Sequence, residues 1–188
     1  MEDRECVNRI ITIPNILSLV RLMLIPVFYL VYVLKGDYKL AAFILILSGL
    51  TDVVDGFIAR RYNLVSDVGK VLDPIADKLT QLAVLACLIS RFKRMLLPCI
   101  MLAVKELVSG IAGFIALKKT GVVCSAEWHG KLTTMLLYAM MVMHILWYDI
   151  GPIVSDVSIA LCVLSMLMSF VLYTVRNVKM ITGKYISK

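Results

Sequence analysis

The chain has 188 residues, of which 61% are apolar, with a mean hydropathy of +0.90 and a formal net charge of +7. This composition argues against a soluble all-α protein with a large core, because apolar runs near the ~20 residues needed to cross a bilayer recur along the chain. In a soluble protein the basic excess would raise the question of nucleic acid. Here the basic residues fall at helix ends, where anionic headgroups lie, and no nucleic-acid partner is expected.

Six spans are predicted, over roughly 12–34, 39–60, 71–91, 95–117, 131–149 and 152–175, separated by charge and turn residues such as Gly36-Asp37, Arg91 to Arg94 and Asp149 to Pro152. The expected fold is an all-α polytopic membrane protein with six transmembrane helices. Both terminal segments are short and there is no Pro/Ser-rich linker, so 1–188 reads as a single membrane domain.

The first span is interrupted by Asn15, Ser18 and Arg21 and is not followed by a small-residue cleavage signature, so it is expected to remain as a helix. The second ends in Asp52 and Asp55 and the third begins with Asp73 and Asp77, four of the five aspartates in the 26-residue window 52–77. A charge at the bilayer centre costs at least ~2.5–3.5 kcal/mol, so these groups need water, a partner or a metal ion. The i, i+3 and i, i+4 spacings place each pair on one helical face. An oxygen-only donor set without histidine or cysteine suits Mg²⁺ or Mn²⁺.

Counting Lys and Arg sets the topology. With the N-terminus inside, the inner segments hold Arg4, Arg9, Arg60, Arg61, Lys70, Lys118, Lys119, Lys131, Arg176, Lys179, Lys184 and Lys188, and the outer loops hold only Lys35, Lys39, Arg91, Lys93 and Arg94. Both termini are then cytoplasmic. At about 1.5 Å per residue both aspartate pairs lie roughly 5–12 Å inside their helix ends, on opposite walls of one hairpin. Gly56 and Ala59 share a face with Asp52 and Asp55, allowing close approach of a flat ligand, and Gly69 and Pro74 are expected to set the start of the third helix.

In the fourth span Lys105 adjoins Glu106. The pair reads either as two buried groups neutralising one another or as a functional cation beside the carboxylates, and the ~100° between adjacent helix positions weakens a direct pair. Glu127, Trp128 and His129 are placed in the loop before Gly130-Lys131, with Trp128 an interfacial anchor. His144 is expected as a hydrogen-bonded interior residue. The five cysteines, Cys6, Cys87, Cys99, Cys124 and Cys162, form no C-x-x-C pair and read as small core hydrophobes.

The string Asp52-x2-Asp55-Gly56-x2-Ala59-Arg60-x8-Gly69-x3-Asp73-x3-Asp77 resembles the signature of the CDP-alcohol phosphotransferase family at every specified position. The resemblance implies transfer of a phosphoalcohol group from a CDP-linked donor to a hydroxyl acceptor with release of CMP. It further implies two divalent cations, Mg²⁺ or Mn²⁺, held by Asp52, Asp55, Asp73 and Asp77, with Asp77 also the general base. The same resemblance assigns Asn15, Gly56, Ala59, Arg60 and Gly69 to the CDP-donor site. Arg60 could equally be a membrane anchor, and Asn15 a helix-terminal turn residue.

Ile13-Pro14-Asn15, Ser18 to Pro26, Leu72 to Lys78 and Gly130-Lys131 look most like the bacterial phosphatidylglycerophosphate synthase branch of the family, which uses CDP-diacylglycerol and sn-glycerol 3-phosphate. Arg21, Lys105 and Lys131 are the candidates to bind a phosphorylated acceptor. Two positions depart from that branch: Lys105-Glu106 stands where Arg-Glu is usual, and Gly113 near the position of a second arginine. Lysine keeps the charge but loses the bidentate fork. A cardiolipin synthase of the same fold, with phosphatidylglycerol as a lipid acceptor, is the alternative. The non-enzymatic alternative is an ion or metal transporter, which would place its acidic site near the midplane rather than near one leaflet. The resemblance also implies a homodimer in the bacterial cytoplasmic membrane with the active site facing the cytoplasm.

Overall fold

The computed structural model describes residues 13–61, 67–120, 128–147 and 149–182, and these are helical almost throughout. They divide into two compact units between Cys87 and Leu88.

The first unit opens with α1 (Ile13–Tyr29), which widens into a π-helical turn over Leu30–Lys35. Gly36 ends it at φ 68°, a left-handed conformation that costs glycine nothing. Asp37 then caps α2 (Tyr38–Arg61): its carboxylate accepts from the Leu40 N–H at 3.0 Å, satisfying a donor of the first turn. The Gly36-Asp37 break read from the sequence is thus a helix stop followed directly by a helix start. Helix α3 (Asp67–Ile89) begins four residues before the predicted 71, so Gly69 and Pro74 lie within its first turns instead of marking its start. Pro74 is the eighth residue of α3, past the first turn, where it withholds one i→i−4 donor while the helix continues through it.

α1 packs on α2 around Phe28, Val31, Tyr32, Ala41, Ala42 and Leu45, and α3 contributes Ala76, Val84 and Leu85 to the buried set. Phe28 stacks on Tyr32 at 5.6 Å and Tyr32 meets Tyr38 edge-on at 5.4 Å. These apolar side chains occupy one end of the unit. Asn15, Ser18 and Arg21 of α1, all buried, occupy the other.

The second unit holds α4 (Leu96–Thr120), preceded by a 3₁₀ turn over Lys93–Met95, then α5 (Trp128–Leu146) and α6 (Pro152–Ile181). Both α4 and α5 pack on α6. Pro152 starts α6, where a missing backbone donor does no harm. His144 is hydrogen-bonded within this core: Nδ1 lies 2.8 Å from the Met140 carbonyl and Nε2 lies 3.0 Å from Ser155 Oγ, the interior role expected of it. Cys87 and Cys162 are buried and Cys99 half-buried, all as free thiols; Cys6 and Cys124 lie outside the described residues.

The outward faces are apolar at helical spacing. Leu19, Met23, Val27, Leu30 and Leu34 form an exposed stripe on α1, Leu97, Ile100, Val104, Leu107, Ile111 and Phe114 one on α4, and Val157, Leu161, Leu164, Met168, Val171 and Val175 one on α6. Stripes of that length face lipid, and the chain is an integral membrane protein. Among the described residues three helices are long and apolar enough to cross a membrane, Asn15–Lys35, Lys93–Ile115 and Pro152–Met180. The other three of the six expected spans fall on α2, α3 and α5. α2 and α3 carry the aspartates and their basic neighbours, and α5 carries His129, Lys131 and His144.

Candidate active site

The polar end of the first unit is built by three helices. On α1, Asn15, Ser18 and Arg21 recur every three residues and so share one inward face. The Ser18 hydroxyl donates to Asp73 Oδ1 of α3, and the Arg21 guanidinium donates through Nη1 to Asp52 Oδ1 of α2. Arg21 is fully buried while the Asp52 side chain is 41% exposed, so the pair spans the boundary between core and solvent-accessible site. Arg21, an acceptor-binding candidate from the sequence, here engages a carboxylate.

Asp77 lies one turn beyond Asp73 on α3. Gln81 Nε2 donates to its Oδ2 at 2.9 Å, and Lys78 Nζ sits 3.3 Å from the same oxygen and 3.4 Å from Gln81 Oε1. Asp52 is close enough to Asp77 and Asp73 to feel both charges. Among the described residues Arg21 thus pairs with Asp52 of α2 and Lys78 with Asp77 of α3, while Ser18 ties Asp73 to α1. The side chain of Asp55, fourth member of the expected cage, lies outside the described residues, as do the side chains of Ala59 and Arg60 and the surroundings of Gly56. Gly69 is buried within α3.

Among the described residues no three His, Cys, Asp or Glu side chains stand as a complete metal-holding group. The donor chemistry nevertheless fits a hard divalent cation: mutually repelling carboxylates, oxygen donors only, and partial exposure that leaves an approach open. Ser18, Lys78 and Gln81 were not assigned roles from the sequence. The i, i+3 relation of Ser18 to Asn15 and the i, i+4 relation of Gln81 to Asp77 are the signals that point to two of them.

In the second unit Lys105 is buried and donates from Nζ to Glu106 Oε1 at 2.6 Å. Of the two readings of Lys105 and Glu106, the structure shows the direct pair, although the angle between adjacent positions weakens it. Two long side chains can bend toward each other across the helix surface, and a buried ammonium requires an acceptor. Lys131 is exposed on the first turn of α5. Trp128 and His129 belong to that helix and not to the preceding loop. Trp128 is exposed, as an interfacial anchor would be, but His129 is buried, with Nδ1 3.2 Å from Ser169 Oγ of α6. Glu127 lies outside the described residues.

The fold and this site define a helical membrane protein with a carboxylate centre. Residues 11–181 match the family model of CDP-alcohol phosphatidyltransferases. The chain belongs to the CDP-alcohol phosphatidyltransferase family. It is similar to a CDP-diacylglycerol--glycerol-3-phosphate 3-phosphatidyltransferase of Rickettsia typhi, 41% identical over 66% of this chain and 70% of that protein. It is also similar to one of Aquifex aeolicus, 32% identical over 90% of this chain and 97% of that protein. A CMP-forming cardiolipin synthase of Streptomyces coelicolor is 42% identical over 45% of this chain and 41% of its own length.

Proposed function

We propose that this protein transfers the phosphatidyl group of CDP-diacylglycerol to sn-glycerol 3-phosphate, forming phosphatidylglycerophosphate and CMP. The observation that carries this reading is similarity along nearly the whole length of the Aquifex aeolicus relative, which bears that activity in its name. The family match crosses the division at Cys87 and Leu88, which supports treating 1–188 as one catalytic domain.

In this reading Asp52, Asp55, Asp73 and Asp77 hold two divalent cations, Mg²⁺ or Mn²⁺, and Asn15, Gly56, Ala59, Arg60 and Gly69 receive the CDP moiety. Bound cations would offset the negative charge of the diphosphate, which otherwise repels an attacking oxygen. Asp77 takes the proton of the acceptor hydroxyl as its oxygen bonds to the phosphatidyl phosphorus and the bond to CMP breaks. Gln81 holds one Asp77 oxygen at 2.9 Å and so limits the rotation of the carboxylate. Ser18 does the same for Asp73. Lys105 and Lys131 are assigned to the acceptor phosphate, and Arg21 acts there only if it exchanges Asp52 for the acceptor.

Six spans, cytoplasmic termini and an active site facing the cytoplasm belong to the same proposal, as does a homodimer. The distribution of Lys and Arg supports the orientation and the family resemblance supports the dimer. A second reading, cardiolipin synthesis from phosphatidylglycerol, draws on the Streptomyces coelicolor relative and on Lys105 and Gly113 standing where the synthase branch usually has arginines. CMP release by the purified protein with CDP-diacylglycerol and Mg²⁺ separates them. Stimulation by sn-glycerol 3-phosphate alone supports the first, and stimulation by phosphatidylglycerol alone overturns it.

A further inference from the structure

The second unit carries a cleft at the end where α5 finishes and α4 and α6 begin. It holds about 330 Å³ and is lined on one side by Phe92, Lys93 and Arg94, in the turn before α4, and on the other by Pro152, Ser155 and Asp156, in the opening turns of α6. One wall is anchored to the core: Ser155 Oγ lies 3.0 Å from His144 Nε2, and the His144 ring meets that of Phe92 edge-on at 5.0 Å. The rim is charged. Arg94 donates to Asp156 and ties the two sides together. Lys93 is exposed and forms no ion pair among the described residues. Counting Arg91, Lys93 and Arg94 on one turn against Asp149 and Asp156 on the other leaves one positive charge in excess. Within a turn of the cleft the same helices expose apolar side chains, Leu97 and Ile100 on α4 and Ile153 and Val157 on α6.

We propose that this cleft binds the headgroup of an anionic phospholipid, at a site that takes no part in the transfer reaction. Its volume suits one small headgroup. A phosphodiester carries a single negative charge at neutral pH, which matches the excess on the two turns, and at a membrane surface each basic residue adds to the attraction of anionic lipid. Lys93 supplies the cation that meets the phosphate, while Arg94, held by Asp156, sets the distance between the walls. The exposed apolar side chains beside the cleft give acyl chains a surface that a soluble anion would not use, so the occupant is a lipid rather than free phosphate. In the proposed orientation this end faces outward, and the lipid comes from the leaflet opposite the one that supplies the donor. The choice of acceptor alcohol does not enter the argument.

The full chain, purified in detergent, is titrated with dioleoylphosphatidylmethanol, an anionic phosphodiester lipid with no acceptor hydroxyl, and in parallel with dioleoylphosphatidylcholine. Native mass spectrometry counts the lipid retained. Wild type is expected to retain the anionic lipid in preference to the zwitterionic one. Lys93→Gln is expected to weaken that retention about fivefold, the weight of one basic residue, and Lys93→Glu to weaken it further. Asp156→Asn removes the competing carboxylate and is expected to tighten it. Lys93 forms no ion pair and the Arg94–Asp156 pair is exposed on both sides, so all three variants should keep the wild-type melting temperature within a few degrees and CMP release within twofold. Unchanged retention of the anionic lipid in both Lys93 variants would overturn the proposal. So would equal retention of the two lipids by wild type, or displacement of the bound lipid by millimolar inorganic phosphate, which would mark a site for soluble anions. None of these outcomes bears on the transferase reading, which CMP release reports separately.

Discussion

Removing either partner of the Arg21–Asp52 pair should have unequal consequences, because burial falls unequally on the two. Arg21 is 0% exposed and the Asp52 side chain 41% exposed. At an effective dielectric of about 20, opposite charges ~4 Å apart attract by roughly 4 kcal/mol, and the desolvation of a buried guanidinium consumes most of that gain. Asp52→Asn therefore strands a buried cation, at a cost of about 3–5 kcal/mol. Arg21→Met strands a carboxylate that water can reach, at a cost of about 1–2 kcal/mol, to which repulsion from Asp73 and Asp77 adds a part. For a chain of this size 1 kcal/mol moves the melting temperature by roughly 2–4 °C, so Asp52→Asn is expected to lower it by about 6–20 °C and Arg21→Met by about 2–8 °C. Thermal unfolding in detergent, followed by loss of the monodisperse peak in size-exclusion chromatography, reads the difference. Added Mg²⁺ is expected to raise the melting temperature of Arg21→Met more than that of wild type, because a bound cation relieves the same carboxylates. Equal destabilisation by the two variants, or a larger effect from Arg21→Met, would refute the argument that burial of the guanidinium dominates.

Asp77→Asn is expected to lower CMP release by about 10²–10⁴-fold while CDP-diacylglycerol still protects against thermal unfolding; retained turnover would remove Asp77 from the proton-transfer role. Gln81→Leu keeps that carboxylate but frees it to rotate, so kcat should fall about tenfold with both KM values within twofold, and a change confined to KM would contradict a positioning role. Chelation by EDTA should abolish turnover and Mg²⁺ or Mn²⁺ should restore it; full activity in the chelated protein would exclude the cation site. Lys105→Gln is expected to raise the KM for glycerol 3-phosphate about 10- to 100-fold, the loss of a charge-assisted contact, without raising that for CDP-diacylglycerol.

Helix identity was legible because each break is chemically marked. Gly36-Asp37 stops one helix and caps the next, and Pro152 opens the last. The start of α3 differs because Gly69 and Pro74 read as punctuation, whereas Gly69 falls in the first turn and Pro74 is the eighth residue, inside the helix. Of the site, the aspartates were legible as one cluster from helical spacing and charge-based topology, and the structure ties Asp52 and Asp73 to the same face of α1 through Arg21 and Ser18. Their supports were not legible: Ser18 reaches Asp73 across 55 positions of sequence, a distance at which a lone serine carries no signal. The Lys105–Glu106 pair was one of two readings the sequence left open, and it forms because side-chain reach outweighs the angular separation of adjacent positions.

The depth of the polar layer bears on whether this is an enzyme or a transporter. On α1 the inward polar face runs from Asn15 to Arg21, about 9 Å at 1.5 Å per residue. Beyond it the same helix buries Phe28, Val31 and Tyr32. On α3 the polar face runs from Asp73 to Gln81, and Val84 and Leu85 follow as buried residues. On α2, which runs in the opposite sense, Asp52 is preceded by Ser48 and then by the buried Leu45, Ala42 and Ala41. Within this unit all three helices change from polar to apolar on the same side of the carboxylates. A transporter needs its acidic site approachable in turn from both faces of the membrane, whereas within this unit aromatic and branched side chains lie on one side of the polar layer. A phosphatidyl transferase needs the opposite arrangement: water and soluble substrates from one side, lipid from the flank, and no leak beyond. Substituting Leu45 and Val84 by serine would extend the polar layer inward, and the enzyme reading expects that change to cost stability without creating metal-ion flux in proteoliposomes.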